Sequence, residues 1–497
     1  MRVCLDCSIG SGEKPATKCS GEKKAANEIR VSRWKEHGEI AGKIKPPFPD
    51  WSHNFFTILL PGLGKRSGAV WEIHLMKKSL AFACCLATVN LLPAASPPRD
   101  LVVHEWGTFT SVQGGDGKLI SWQAQEIGDL PKFVYDWIRP GRNRMTPTIL
   151  TFGKGGLAGL QRMETPVIYF YSDQEFDADV MVKFPNGHIT EWFPQADALG
   201  EPGPLARVTM SLTQKPTGGN LIRWQNVRVL PAKANASLVA ALPTSTNGTH
   251  YFAARETDSA FVRATDSSST NLPVQYEKFL FYRGTGDFGT PLTVTVTDGG
   301  NVTVSNTGRS PLASLFLLQV ENGAARWTKL PPLASQTQRV AATLEMASAG
   351  ELQSVPKVQA ELGAAMAREL TRAGLFPAEA RAMVKTWDHA WFTEEGVRVL
   401  YLLPRPWTDE ILPLTLNPKP RELVRVMVGR AEIIPPATVK ELAPVLAGSN
   451  SGDAAAREQI TAFVHKYGRF AGPALQLAAK IPTAPPANKP VASRPFE

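Results

Sequence analysis

The chain has 497 residues, 43% hydrophobic and 20% charged, with a formal net charge of +9. That length allows two to four domains with real cores, and the composition excludes a collagenous or low-complexity chain. The charge is unevenly placed: residues 1–96 carry 14 Lys/Arg against 8 Asp/Glu, and the remainder 40 against 37. No basic stripe with interleaved aromatics follows residue 96, so nucleic acid is not an expected partner.

The cysteines divide the chain at the same place. Cys4, Cys7, Cys19, Cys84 and Cys85 all precede residue 86. Disulfides and thiolate metal sites are therefore excluded from the main body. Cys4 and Cys7 make a C-x-x-C pair, but no second pair supports a metal or redox reading.

Residues 76–96, MKKSLAFACCLATVNLLPAAS, read as a secretory signal peptide: Met76, two lysines, a short apolar run and a small-residue end. An uncleaved anchor is the alternative, although the apolar run is short for a span. A signal peptide belongs at an N-terminus, so residues 1–75 read as an upstream extension foreign to the working protein. The expected product starts near Pro97, exported to the periplasm or beyond and without a stable transmembrane span. A cysteine-free body suits an oxidising compartment, where it cannot form wrong disulfides.

From Leu101 to about 345 the pattern is short strands and turns, expected as a β-rich domain over 97–285 and a sandwich-like module over 286–345. FPNGHITEWF places Asn186-Gly187 between two strands and predicts a hairpin. LTVTVTDGGNVTVSN and SLFLLQVENGAARW predict two more. YFAARETDSAFVR reads as a strand. Past 350 the period changes. VPKVQAELGAAMARELTRAG and PAEARAMVKTWDHAWFTEEG predict a helical hairpin with stops at Gly374 and Gly396. Strand-like VRVLYLLP and LVRVMVGRAEII follow, then short helices to about 481 and a Pro/Ala-rich, disordered tail over 482–497. The expected class is mainly β, sandwich-like, with a C-terminal α/β or helical region: a multidomain α+β chain.

VVHEWGTFTSV (102–112) carries the first candidates. On a strand, His104, Trp106, Thr108 and Thr110 share one face, and Val103, Glu105, Gly107 and Phe109 the other. Gly107 leaves room for a bulge or a close backbone approach. Glu105 on an apolar face must pair, hydrogen-bond or take a raised pKa, and a raised pKa suits a general acid. Its structural alternative is a pair with an arginine, Arg255 being one choice. Glu256 and Asp258, two apart on the expected strand, lie roughly 7 Å apart along it, within the range of acid/base pairs in glycoside hydrolysis. His104 with His250 is a third reading, a His/carboxylate site for a divalent metal. No metalloprotease, nucleophile-elbow, phosphate-loop or dinucleotide motif is present, and no cofactor is otherwise expected. Nine Trp and eight Tyr follow residue 97, and exposed aromatics suit sugar or protein partners.

VHEWGTFTS (103–111), METPVIYFYS (163–172) and TWDHAWFTEEGVRVLYLLPRP (386–406) together resemble a group of exported bacterial proteins with a similar His-Glu-Trp-Gly-Thr-Phe-Thr opening. The resemblance implies one unit starting near residue 100 and transfers no catalytic residue. The leading expectation is an exported envelope or periplasmic protein that binds a glycan or protein partner through β-surface aromatics, or has a structural role there. The rival is a hydrolase using Glu105, Glu256 and Asp258.

Overall fold

The computed structural model describes residues 98–123, 130–136, 158–200, 219–246, 249–264, 273–343 and 352–482. All lie in one compact unit, Asn90–Glu497. The expected signal segment, upstream extension and cysteines, and the tail beyond Pro482, fall outside the described residues.

Strands predominate before residue 350 and helices gather after it. Five strands build the middle of a large sheet: β1 (Val102–Gly114), β2 (Gln161–Tyr171), β3 (Leu280–Gly286), β4 (Gly396–Leu402) and β5 (Glu422–Ile434). In the described residues this sheet has ten strands. Its order is Gln353–Ser354, Ala324–Leu330, Leu315–Glu321, β4, β5, β1, β2, β3, Gly187–Phe193 and Tyr135–Asp136. β1 pairs parallel with β5 and antiparallel with β2. Every residue of β1 is buried, as expected for a central strand covered on both sides.

The interlock of β1 and β2 explains Gly107. The register slips between Trp106 and Thr108, where β2 carries Thr165 and Pro166 opposite Gly107. Thr165 has φ 49°. A Cβ on Gly107 would lie 2.9 Å from Pro166 Cα. The bulge sits on β2, proline finds a place there, and β1 keeps its alternation.

That alternation splits the core. Leu101, Val103 and Phe109 join one apolar cluster with a second sheet, which runs Gln275–Glu277, Phe261–Ala264, Leu221–Leu230, Phe176–Lys183 and Leu414–Asn417. The three-stranded sheet Leu292–Val296, Asn301–Asn306, Thr337–Thr343 contributes to the same cluster. Trp106 faces the other way, into a cluster with the helical hairpin. That hairpin and a short helix are α1 (Thr249–Ala253), α2 (Val355–Arg372) and α3 (Pro377–Phe392). The stripe Val358, Leu362, Met366 and Leu370 of α2 and Met383, Trp387 and Trp391 of α3 fill this second cluster. Gly374 follows the cap of α2 at φ 111°, a conformation that favours glycine, whereas α3 already ends at Phe392 with Thr393 as its cap, and Gly396, expected as its stop, opens β4 at φ 128°.

Three expectations need correction. Asn186-Gly187 does not close a hairpin: Phe176–Lys183 and Gly187–Phe193 lie in different sheets, so the turn carries the chain across the sandwich. Gly187 is required by packing, since its Cβ would fall 2.2 Å from the Phe184 ring. YFAARETDSAFVR is not one strand: it is α1, a loop, and then the strand Phe261–Ala264. Consecutive short-range backbone bonds from Ala254, Arg255 and Glu256 to Tyr251, Phe252 and Ala253 hold the loop coiled. The boundaries at 285/286 and 345/350 do not separate sheets, because the large sheet draws strands from all three expected segments. The hairpins Leu292–Val296/Asn301–Asn306 and Leu315–Glu321/Ala324–Leu330 form as expected. Asn322 and Gly323 turn the second at φ 52° and 79°.

Candidate functional site

Glu105 and Arg425 are direct cross-strand partners in the β1–β5 register. Both are buried, and Arg425 Nε donates to Glu105 Oε2. The Tyr282 hydroxyl of β3 donates to Glu105 Oε1 at 2.5 Å, and Arg425 Nη1 reaches Asp409 at 2.7 Å. Burial pulls the Arg425 guanidinium toward deprotonation, but Glu105 outweighs it and the net displacement is upward. Burial, and then Glu105, raise the Tyr282 phenol well above its ordinary value. Both carboxylate oxygens of Glu105 are thus engaged across three strands. Arg255 goes elsewhere, binding Glu277 through two bonds of 2.8 and 2.7 Å.

The other carboxylates are not gathered with Glu105. Glu256 and Asp258 are exposed in the loop after α1, and Glu256 pairs with Lys385 of α3 at 2.5 Å. α3 packs on the face of the sheet opposite Glu105. The sheet therefore stands between Glu105 and Glu256, and the strand spacing expected for Glu256 and Asp258 does not apply to a loop. The two histidines are also apart. His250 is half-buried with its ring 5.9 Å from Trp387. His104 meets Glu379, eight residues earlier on the same helix, about 12 Å along its axis. Among the described residues no group of three His, Cys, Asp or Glu is arranged to hold a metal ion.

Aromatic side chains follow the core, not the surface. Trp106, Trp122, Trp192, Trp224 and Trp391 are all buried. Among the large apolar side chains exposed in the described residues, the aromatic one is Phe376, 42% exposed. This corrects the expectation of a broad aromatic β-surface and directs attention to one corner.

That corner lies where β1 begins, β2 ends and α3 starts. His104 Nδ1 is 2.5 Å from Glu379 Oε2, and both side chains are buried. The same oxygen accepts the Phe376 backbone N–H at 2.9 Å, the reach-back of a helix N3 glutamate to its cap. The Phe376 ring covers the imidazole at 4.5 Å between centroids, and Tyr171 meets both rings at 5.3 and 4.8 Å. Burial, then Glu379, and further Asp258, push the Tyr171 phenol up, so it stays protonated at neutral pH. A side-chain hydrogen bond to Glu379 adds to that rise, so Tyr171 and Glu379 engage one another, while His104 Nε2 is buried and forms no hydrogen bond within the described residues. Three elements thus bring His104, Tyr171 and Glu379 to one place beneath an exposed ring, with His104 Nε2 unbonded among the described residues.

A second charged group lies further along the same face, between the helical hairpin and the C-terminal helices. Arg469 bridges Glu164 and Glu394 at 2.8 and 3.1 Å. Arg430 binds Glu394 and, at 2.7 Å, Glu432, which also faces Arg398 at 3.1 Å. Burial would raise the Glu164 and Glu394 carboxyls, yet the arginines around them hold both below the usual range. Burial lowers the Arg398 guanidinium to about 10 despite Glu432. This band ties β2, β5, β4 and the segment around Arg469 together.

Comparison with known proteins comes from structure alone: no family model and no curated protein matches the chain. Two solved structures align over much of it. One is the Fcho1 Mu homology domain of Danio rerio with bound Eps15 peptide: 9% identity, 69% of this chain, 100% of that one, TM-score 0.25. The other is the yeast delta-COP-I mu-homology domain complexed with Dsl1 WxWxV peptide: 8% identity, 68% and 100%, TM-score 0.24. At these values the likeness transfers neither ligand nor residue.

Glu379, Tyr171, Arg425 and Tyr282 were not singled out by sequence reasoning. FPAE offered a signal for Glu379, because a glutamate at N3 before an apolar helix marks a cap. Arg425 and Tyr282 offered none, since only sheet register sets them beside Glu105.

Proposed function

We propose that the chain is an exported envelope protein that binds a protein or glycan partner, and that the corner of His104, Tyr171, Phe376 and Glu379 is its recognition site. One observation carries the reading: the buried His104 Nε2 lacks a hydrogen-bond partner among the described residues, beside Tyr171 and Glu379 and beneath the exposed Phe376 ring. Buried polar groups are satisfied as a rule, and a buried imidazole nitrogen without a partner fits a group supplied from outside. An exposed ring beside such a nitrogen suits an apolar body with a polar tip. The hydrolase reading draws no support from this geometry, because its proposed acid and its partner carboxylates face opposite sides of the sheet.

Titration of the chain with a panel of envelope glycan fragments and short peptides, followed by NMR, tests the assignment. The reading expects His104 and Tyr171 ring signals to shift with a ligand, and affinity to fall in the His104→Gln/Tyr171→Phe double variant. A ligand bound equally well by that variant would place recognition elsewhere. Export has its own measurement: N-terminal sequencing of protein recovered from the periplasm should begin near Pro97, and residues from 1–75 in that protein would overturn the late start.

A further inference from the structure

The imidazole of His104 and the ring that covers it are held in different ways. His104 sits within β1, paired with Val424 on one side and Tyr169 on the other. Its Nδ1 lies 2.5 Å from Glu379, and 1% of its surface is exposed. Strand pairing on both sides and a buried carboxylate contact fix the imidazole where it is.

Phe376 has an equally fixed backbone. Just before it, the Gly374 N–H donates to the Thr371 carbonyl at 3.1 Å and the Leu375 N–H to the Leu370 carbonyl at 3.2 Å. The Leu375 side chain is buried. The Phe376 N–H donates to Glu379 at 2.9 Å, and Pro377 follows with its restricted φ. The ring itself is not enclosed. It is 42% exposed and meets His104 at 4.5 Å and Tyr171 at 4.8 Å, both on its inner side. A side chain that is partly in water changes rotamer rapidly, with no movement of the backbone.

We propose that the Phe376 ring is a gate over His104. In the rotamer described it covers the imidazole, and rotation about its own side-chain bonds admits a ligand group to the unbonded Nε2. This inference rests on the recognition reading and adds how that site opens. Ligand binds only while the ring stands aside, so affinity is reduced in proportion to the open fraction. Opening gives up two aromatic contacts, which holds the open fraction to about one in ten.

Acylation of the full chain by diethyl pyrocarbonate at pH 7, followed by peptide mapping over time, gives a rate for each histidine. His104 should react more slowly than the exposed His389 and His465. In Phe376→Ala it should react about tenfold faster, the reciprocal of the open fraction. That variant keeps the backbone N–H that Glu379 caps, so the half-buried His250 and the exposed His389 should keep their rates. Phe376→Trp, with a larger ring, should slow His104 further. Equal His104 rates in the three proteins would overturn the gate. So would a rise at His250 matching that at His104, since it marks general loosening. Ligand titration separates gate from recognition: a ligand that shifts His104 while the acylation rates stay equal removes the gate and leaves the site. Faster acylation in Phe376→Ala with no ligand shifting His104 leaves the gate and removes the recognition reading.

Discussion

Residues 104 and 105 are neighbours on one strand and meet opposite circumstances. Glu105 points into the face shared with the second sheet, where Arg425 and Tyr282 engage both its oxygens. His104 points toward α3, where Glu379 takes one ring nitrogen and leaves the other without a partner. The contrast separates two uses of a buried polar side chain. A carboxylate matched by a cross-strand arginine is architecture: it fixes the register of β1 on β5. A histidine held from one side by a carboxylate, with its second nitrogen unbonded among the described residues, is oriented by a single polar contact.

The strongest test removes the match. Arg425→Ala should leave Glu105 buried without its cation and cost about 3–5 kcal/mol in urea unfolding. A loss under about 1 kcal/mol would mean that Tyr282 alone satisfies Glu105 and that the pair does not hold the sheet together. At the corner, Glu379→Ala removes the His104 partner and the reach-back to the Phe376 N–H, and should cost about 2 kcal/mol. A loss as large as that of Arg425→Ala would erase the distinction between the two regions.

The charged band supplies a pH test. Glu164 and Glu394 titrate below the ordinary carboxylate range in the folded chain. Their stabilisation is therefore fully present above the ordinary value of 4.5 and is lost as pH falls through the depressed values. Each unit of depression is worth about 1.4 kcal/mol at neutral pH. Melting temperature should drop from pH 5 toward pH 3, and Arg469→Met should lessen that drop. An equal acid slope in both proteins would remove Arg469 from the account. Smallest of all, Glu256→Ala breaks an exposed pair with Lys385 and should change stability by less than about 0.5 kcal/mol. A larger loss would show that the loop after α1 carries more of the fold than its exposure implies.

Much of the fold was legible in local pattern. The helical hairpin followed from the spacing of Val358, Leu362, Met366 and Leu370 and from the stop at Gly374, because a helix repeats its buried face within a few residues. The Asn322-Gly323 hairpin followed from turn residues that accept positive φ. The 251–263 stretch failed because its β-branched and aromatic content belongs partly to a short helix docked on α3. The Asn186-Gly187 turn failed for another reason: a tight turn is visible in sequence, but whether the flanking strands then pair is not. Glu105 was recognised as needing a partner, yet Arg255 was named and Arg425 supplies it, 320 residues away.

The sequence by itself determined the alternation of β1, the position of the helices, the cysteine-free body and the need of Glu105 for a counter-charge. These are properties of near neighbours and of composition. Tertiary structure alone decided which arginine answers Glu105, that Glu379 finds His104, and that Glu256 lies across the sheet from Glu105. Partners hundreds of residues apart meet through sheet register and layer packing, and no local spacing encodes either.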